Sequence, residues 1–152
     1  MSEFSTIEEI LEFAINGEQA AVDLYTDLAG KAKKPAIKKA FEEYAEEERK
    51  HKAKLLDVKS GKRFLQAGQE PVMDLKIADY IVDKEPGPDA DYQTVLIYAM
   101  KKEKAAYKLY TALATKTNDP DLQGLLLGLA QEEAKHKLHF EIEYDEHILV
   151  EN

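Results

Sequence analysis

The sequence of 152 residues predicts an all-α fold, a four-helix bundle in which a long crossover joins two antiparallel helical hairpins. Apolar residues recur every three or four positions along four long segments, which is the period of an amphipathic helix. No segment shows the two-residue alternation that is typical of a half-buried strand. An internal repeat relates the two halves of the chain, so the two hairpins should share one design.

The repeat is a direct alignment of residues 11–52 with residues 96–137, without a gap, and 18 of the 42 aligned pairs are identical. Roughly three identities would be expected from typical composition alone. The identical pairs include acids, histidines and the proline that begins the second helix of each half. We therefore predict two hairpins related by a pseudo-twofold axis.

The elements predicted from this pattern form one domain over residues 1–152. Hairpin 1 occupies about 5–60, the crossover about 61–90 and hairpin 2 about 91–150. Ser5 and Glu8 have the spacing of a capping box at the first helix. The long helices are expected at about Thr6–Leu28, Pro35–Lys59, Asp91–Thr115 and Pro120–Leu149, with a short helix in the crossover around Val72–Val82.

Composition narrows the possible functions. The formal charge of −9 argues against nucleic acid as a partner, since binding phosphates requires basic surfaces. The chain contains no cysteine, which excludes disulfides, thiol catalysis, iron–sulfur clusters and thiolate zinc sites. No apolar run is long enough to span a bilayer, and the first residues lack the pattern of a signal peptide. We expect a cytoplasmic protein without a membrane partner, in which any metal is held by carboxylates and imidazoles.

Each predicted helix carries a glutamate in the middle of its otherwise apolar face. One isolated glutamate could lie at the edge of such a face and reach solvent. That explanation does not suit four glutamates at repeat-related positions, because burying four unpaired carboxylates is costly and no Lys or Arg shares these faces. The four are Glu18, Glu48, Glu103 and Glu133.

Two histidines complete the pattern. In Glu48-x-x-His51 and Glu133-x-x-His136 the two side chains lie on one face of a helix. The paired glutamates are equidistant from their hairpin turns, so all six groups can meet in one layer. Four carboxylates balance the charge of two divalent ions, and mixed carboxylate and imidazole donors favour iron or manganese, with zinc also possible. The sequence therefore predicts a buried dinuclear metal site.

The chain resembles the ferritin-like di-iron superfamily, and most of all the di-iron domain of rubrerythrins. The resemblance covers both hairpins, about 100 residues, through the six residues of the predicted site. It implies two iron ions bridged by Glu48 and Glu133. The remaining four residues, Glu18, Glu103, His51 and His136, would be terminal ligands. It also implies an oxidoreductase that reduces hydrogen peroxide or dioxygen with electrons from an external donor such as a rubredoxin.

Two departures from the rubrerythrin pattern keep other functions open. Rubrerythrins have a further glutamate one turn after the third-helix ligand, where this chain has Ala106. A chain without cysteine also has no rubredoxin domain. The alternatives are a ferroxidase or iron-handling protein, whose substrate is ferrous ion, and a non-enzymatic bundle with a structural dinuclear metal.

Other polar side chains lie close to the predicted site. Tyr25 and Tyr110 follow the first- and third-helix glutamates by two turns, and they are either electron or hydrogen-bond donors to the site or ordinary core aromatics. Glu47 and Glu132 either orient a ligand histidine or, as we favour here, are solvated surface residues. His139 has no histidine counterpart in the first half and is not expected to bind metal.

An apolar surface is expected near the start of the fourth helix. Leu125 and Leu127 fall outside its core face, within the segment Gly124-x-x-x-Gly128. Small and apolar residues on a second face favour contact with another chain. We therefore expect a homodimer, the alternative being that this face packs against the crossover.

Overall fold

The computed structural model describes residues 7–61, 80–82 and 85–151, and within these ranges it contains four α-helices and no strand. The all-α four-helix prediction is confirmed. Ser5 of the predicted capping box and most of the predicted short helix at 72–82 lie outside the described residues, while Tyr80 lies in a turn. The helices are α1 (Ile7–Lys31), α2 (Pro35–Gly61), α3 (Tyr92–Ala114) and α4 (Pro120–Glu151).

The helix starts follow simple local chemistry. Pro35 and Pro120 are the first residues of α2 and α4, a position where proline has no hydrogen bond to lose. Asp91 caps α3, and its side chain accepts a hydrogen bond of 2.9 Å from the backbone N–H of Thr94. α1 continues through Gly30, two residues beyond the buried Leu28, because one glycine costs only about 1 kcal/mol in a helix held by packing.

The two helices of each hairpin pack along one another, and α1 also packs against α3. Residues near the end of α1 share an apolar cluster with residues near the start of α2, near the start of α3 and near the end of α4. Neighbours within each hairpin are therefore antiparallel, and α2 runs parallel to α3. No described helix is long and apolar enough to cross a membrane.

The buried apolar side chains of the described residues form two clusters, one on each side of the level that holds the predicted site. The first apolar cluster includes Ile10, Leu11, Leu55, Leu113, Leu122 and Leu126. The second apolar cluster includes Tyr25, Leu28, Phe41, Leu96 and Phe140. Burial of each large apolar side chain contributes about 1.5–3 kcal/mol, so the clusters are what hold the four helices around the polar layer between them.

The face of α4 predicted for dimer contact is only partly free. Leu125 packs against the first apolar cluster, so its assignment to a separate face was wrong: the apolar stripe of α4 is wider here than a single heptad row. Leu127 does face outward, with 48% of its surface exposed. A Cβ atom added at Gly124 or Gly128 would meet nothing within 4 Å, so no described residue covers this side of α4.

Candidate metal centre

The structure brings all six predicted site residues into one buried layer. Each of them is at most 2% exposed, although each is polar or ionisable. Their donor atoms form two clusters, within each of which all the atoms lie within 4.8 Å of one another. The first cluster contains Glu18, Glu48, His51 and Glu133, and the second contains Glu48, Glu103, Glu133 and His136.

Glu48 and Glu133 belong to both clusters, whereas each of the other four residues belongs to one. The two shared carboxylates come from the middle of α2 and α4, at repeat-related positions. Their neighbours follow the same symmetry, since Glu18 and His51 lie at one end of the layer and Glu103 and His136 at the other. The internal repeat of the sequence thus produces two equivalent sets of donors around one shared pair.

Both imidazoles direct Nδ1 into this layer. Nδ1 of His51 lies 2.8 Å from Oε1 of Glu48, and Nδ1 of His136 lies 2.8 Å from Oε2 of Glu103. Both nitrogens are also 3.6–3.7 Å from Glu133 Oε1. The i,i+3 spacing on α2 and α4 fixes this orientation, because it stacks each histidine directly over the glutamate one turn earlier.

The outer nitrogens of the two imidazoles are paired across the bundle. Nε2 of His51 lies 2.9 Å from Glu132 Oε1 of the other hairpin, and Nε2 of His136 lies 2.8 Å from Glu47 Oε1. We favoured Glu47 and Glu132 as solvated surface residues, and about two-fifths of each side chain is exposed; the alternative also holds, because each carboxylate contacts an imidazole. A carboxylate on Nε2 fixes the tautomer that leaves Nδ1 free to bind a metal.

Several inward-facing atoms of the layer have no hydrogen-bond partner. Oxygen and nitrogen donors buried without a partner destabilise a protein unless a cation satisfies them. They are also the atom types that bind iron, manganese or zinc. Among the described residues the atoms without a hydrogen bond are Glu18 Oε1, both carboxylate oxygens of Glu48, His51 Nδ1, Glu133 Oε1 and the Tyr25 hydroxyl. His51 Nδ1 and Glu48 Oε1 lie 2.8 Å apart, but the contact is not aligned as a hydrogen bond. The donor set therefore fits a pair of cations.

The electrostatics of the layer point in the same direction. Burial, reinforced by neighbouring carboxylates, raises the pKa values of Glu48 and Glu133 well above the ordinary range. Burial also raises the pKa of Glu103, while the contact with His136 opposes the rise. For His51 burial alone would lower the pKa, but the carboxylates around it prevail and raise it to about 9. Without metal, the layer therefore favours bound protons as substitutes for cations.

The two predicted tyrosines lie against the layer. The Tyr110 hydroxyl donates a hydrogen bond to Oε2 of Glu18, and its pKa is raised chiefly by burial. Tyr25 is completely buried, and burial followed by the charge of Glu103 raises its pKa. The ring of Tyr25 is 6.1 Å from that of His136. Both residues are thus core aromatics whose hydroxyls lie next to the site, so the two readings of the sequence are compatible.

A cavity of about 230 Å³ between α1 and α3 connects the layer with the surface. Glu18, Glu103 and Glu133 line its inner end, and Ala106 and Gly17 line its wall. A Cβ added at Gly17 would meet nothing within 4 Å, which shows how open the wall is. Because liquid water occupies about 30 Å³ per molecule, the cavity has room for several small molecules.

In fold the chain is similar to a putative ferritin-like diiron-carboxylate protein from Thermotoga maritima, with a TM-score of 0.81, 22% identity, and coverage of 96% of this chain and 98% of that chain. The fold is therefore that of the ferritin-like bundles. The rubrerythrin family model matches residues 9–78 and 94–148. The chain belongs to the rubrerythrin family.

Two further solved structures are similar to this chain. A hypothetical protein from Pyrococcus furiosus is 30% identical, with a TM-score of 0.72 and coverage of 91% of this chain and 87% of that chain. The bacterioferritin-related protein of Bacteroides fragilis, described as a dodecameric thioferritin, is 24% identical, with a TM-score of 0.67 and coverage of 93% and 85%. No curated protein matches the chain.

Proposed function

We propose that this protein binds two metal ions, iron in the cell, and reduces hydrogen peroxide or dioxygen with electrons from an external donor. The observation that carries the proposal is the buried layer of four glutamates and two histidines, in which two donor clusters share Glu48 and Glu133. Membership of the rubrerythrin family supports the same chemistry. Two bound iron ions would supply the two electrons that cleave an O–O bond.

Each residue of the layer has a distinct role in this proposal. Glu48 and Glu133 would bridge the two ions, as their place in both clusters suggests. Glu18 and His51 would bind one ion, and the equivalent pair Glu103 and His136 the other. Two divalent ions balance the four carboxylates, so the buried layer would be neutral when both imidazoles are neutral.

Surrounding residues would position the ligands and admit the substrate. Glu47 and Glu132 accept the Nε2 protons of the histidines and keep Nδ1 directed inward. The Tyr110 hydroxyl stabilises one orientation of the Glu18 carboxylate. The cavity between α1 and α3 provides the route by which a molecule as small as peroxide or dioxygen reaches the inner carboxylates.

The first test is metal content followed by reactivity. Anaerobically purified protein should contain two metal ions per chain, and stopped-flow mixing with peroxide and with dioxygen in separate experiments should oxidise the reduced iron form. Glu133→Ala should lose at least one ion and the electronic signature of a bridged pair. Retention of two coupled ions by this variant would contradict the bridging role.

A ferroxidase or iron-handling role is the second candidate, because Ala106 leaves the site without the additional carboxylate of rubrerythrins. Accumulation of many iron ions per chain, with little repeated turnover of peroxide, would favour it. A purely structural metal is the third candidate. It requires the melting temperature to fall on metal removal with no oxidation of the bound metal by either oxidant.

A further inference from the structure

A second group of side chains leads from the candidate metal centre to the surface on the side of α2 and α4. The ring of Tyr44 packs against that of His136, with 4.5 Å between the ring centroids. Its hydroxyl donates a hydrogen bond to Nδ1 of His139. Tyr44 is half-buried and His139 is exposed, so the pair extends from a residue of the metal-binding layer to solvent.

The pair lies along a groove of about 230 Å³ between α2 and α4. Ile37 and Ile142 line the groove, together with Tyr44 and His139 themselves. This groove is on a different side of the molecule from the cavity between α1 and α3. The substrate route and the aromatic pair therefore reach the layer from different directions.

The pair breaks the internal symmetry of the chain. The repeat equivalent of Tyr44 is Leu129, and that of His139 is Lys54. The metal layer itself is symmetric in its residue types, so the symmetry of the site does not account for the aromatic pair. A phenol hydrogen-bonded to an imidazole is instead a group that can lose an electron and a proton together, because the base accepts the proton as the electron leaves.

We propose that Tyr44 and His139 form a one-electron relay between the metal-binding layer at His136 and the surface groove of α2 and α4. The electron goes to the oxidised metal site, and in this respect the inference rests on the proposed function. The source is a one-electron reductant in solution.

The relay balances in two steps. First, an electron passes from Tyr44 to the oxidised site while the phenolic proton moves to Nδ1 of His139, which leaves a neutral phenoxyl radical and an imidazolium. Second, the reductant in solution gives one electron to the phenoxyl radical, and the proton returns from His139 to the phenolic oxygen. The sum of the steps is one electron transferred to the site, with no bond between heavy atoms made or broken.

The pair is tested first without metal, so that the result does not depend on the proposed function. Metal-free protein is exposed to photogenerated tris(bipyridine)ruthenium(III), and phenoxyl radicals are trapped by freezing and measured by electron paramagnetic resonance. The radical yield should fall by more than half in Tyr44→Phe and in His139→Leu. It should be unchanged in Tyr107→Phe, which removes an exposed tyrosine on α3. Equal yields in wild type and Tyr44→Phe would overturn the relay.

The second test uses iron-loaded protein oxidised by one equivalent of peroxide. Its reduction by ascorbate, followed by stopped-flow absorbance, should be slower by about tenfold in Tyr44→Phe, with metal content and oxidation by peroxide unchanged. Unchanged reduction in that variant would overturn the relay. If peroxide fails to oxidise the loaded wild-type protein, the proposed function is wrong, and the metal-free radical yields decide about the pair by themselves.

Discussion

Replacing Glu48 by glutamine should stabilise the metal-free protein while it impairs metal binding. Glu48 is 0% exposed, and neither of its carboxylate oxygens accepts an aligned hydrogen bond, although Oε1 lies 2.8 Å from Nδ1 of His51. Glutamine has nearly the same shape and no charge, so the substitution removes the electrostatic cost without creating a cavity. The function of the residue and the stability of the empty protein therefore oppose each other at this position.

The size of the effect follows from the proton linkage of a buried carboxyl group. Its ordinary pKa is 4.5, and burial raises that value well above the ordinary range in the folded protein. At pH 7 the folded state avoids the charge by taking up a proton, which costs about 1.4 kcal/mol for each pH unit above the ordinary value and so at most about 3.5 kcal/mol. An incompletely hydrogen-bonded glutamine amide costs about 1–3 kcal/mol. We expect a net stabilisation of about 1 kcal/mol, which for a chain of this length raises Tm by roughly 2–4 °C.

Thermal unfolding followed by circular dichroism, in the presence of a chelator at pH 7, measures this change. Glu42→Gln is a matched control, because Glu42 is an exposed glutamate on the same helix, and its substitution should alter stability by no more than about 0.5 kcal/mol. In a parallel titration with Co²⁺, Glu48→Gln should bind fewer ions than wild type. A metal-free Glu48→Gln protein that melts below wild type would refute the reasoning, since it would mean that the carboxylate is stabilised by its neighbours.

Three other results are expected. The metal-free protein should lose stability between pH 6.5 and 9, because the raised pKa of His51, about 9, contributes stability that is complete below the ordinary pKa of 6.5 and is lost as the pH passes 9. Metal-loaded protein should show the opposite trend. A flat profile of Tm against pH in the presence of a chelator would contradict the electrostatic account. Glu132→Ala should weaken Co²⁺ binding by about tenfold, the lower end of the usual loss in affinity, because the side chain that supports His51 is partly solvated. Glu132→Gln should recover part of the affinity, and equal affinities in wild type and Glu132→Ala would contradict the positioning role. Leu127→Glu should dissociate the expected homodimer in light scattering without loss of metal, and a wild-type monomer at micromolar concentration would reject the dimer itself.

The sequence was sufficient to predict the helices and the residues of the candidate site because both follow from the spacing of residues along each helix. A helix repeats about every 3.6 residues, so a glutamate within an apolar face and a histidine three positions later have a predictable common direction. Equal distances from the hairpin turns then place Glu18 opposite Glu48, and Glu103 opposite Glu133, without any knowledge of side-chain packing. Helix ends were less predictable: α1 runs to Lys31 and α2 to Gly61, since tertiary packing sustains a helix past a weak stop signal.

Only the tertiary structure decided which side chains meet between the two hairpins. The contacts of Glu132 with His51 and of Glu47 with His136 join residues more than 80 positions apart, and their spacing along the chain carries no information about them. One signal was present, because Glu47 and Glu132 are themselves an identical pair in the repeat. Tyr44 and His139 had no such signal, since their repeat equivalents are Leu129 and Lys54. Their contact depends on the distance and rotation between α2 and α4, which packing of the two apolar clusters sets and local periodicity does not.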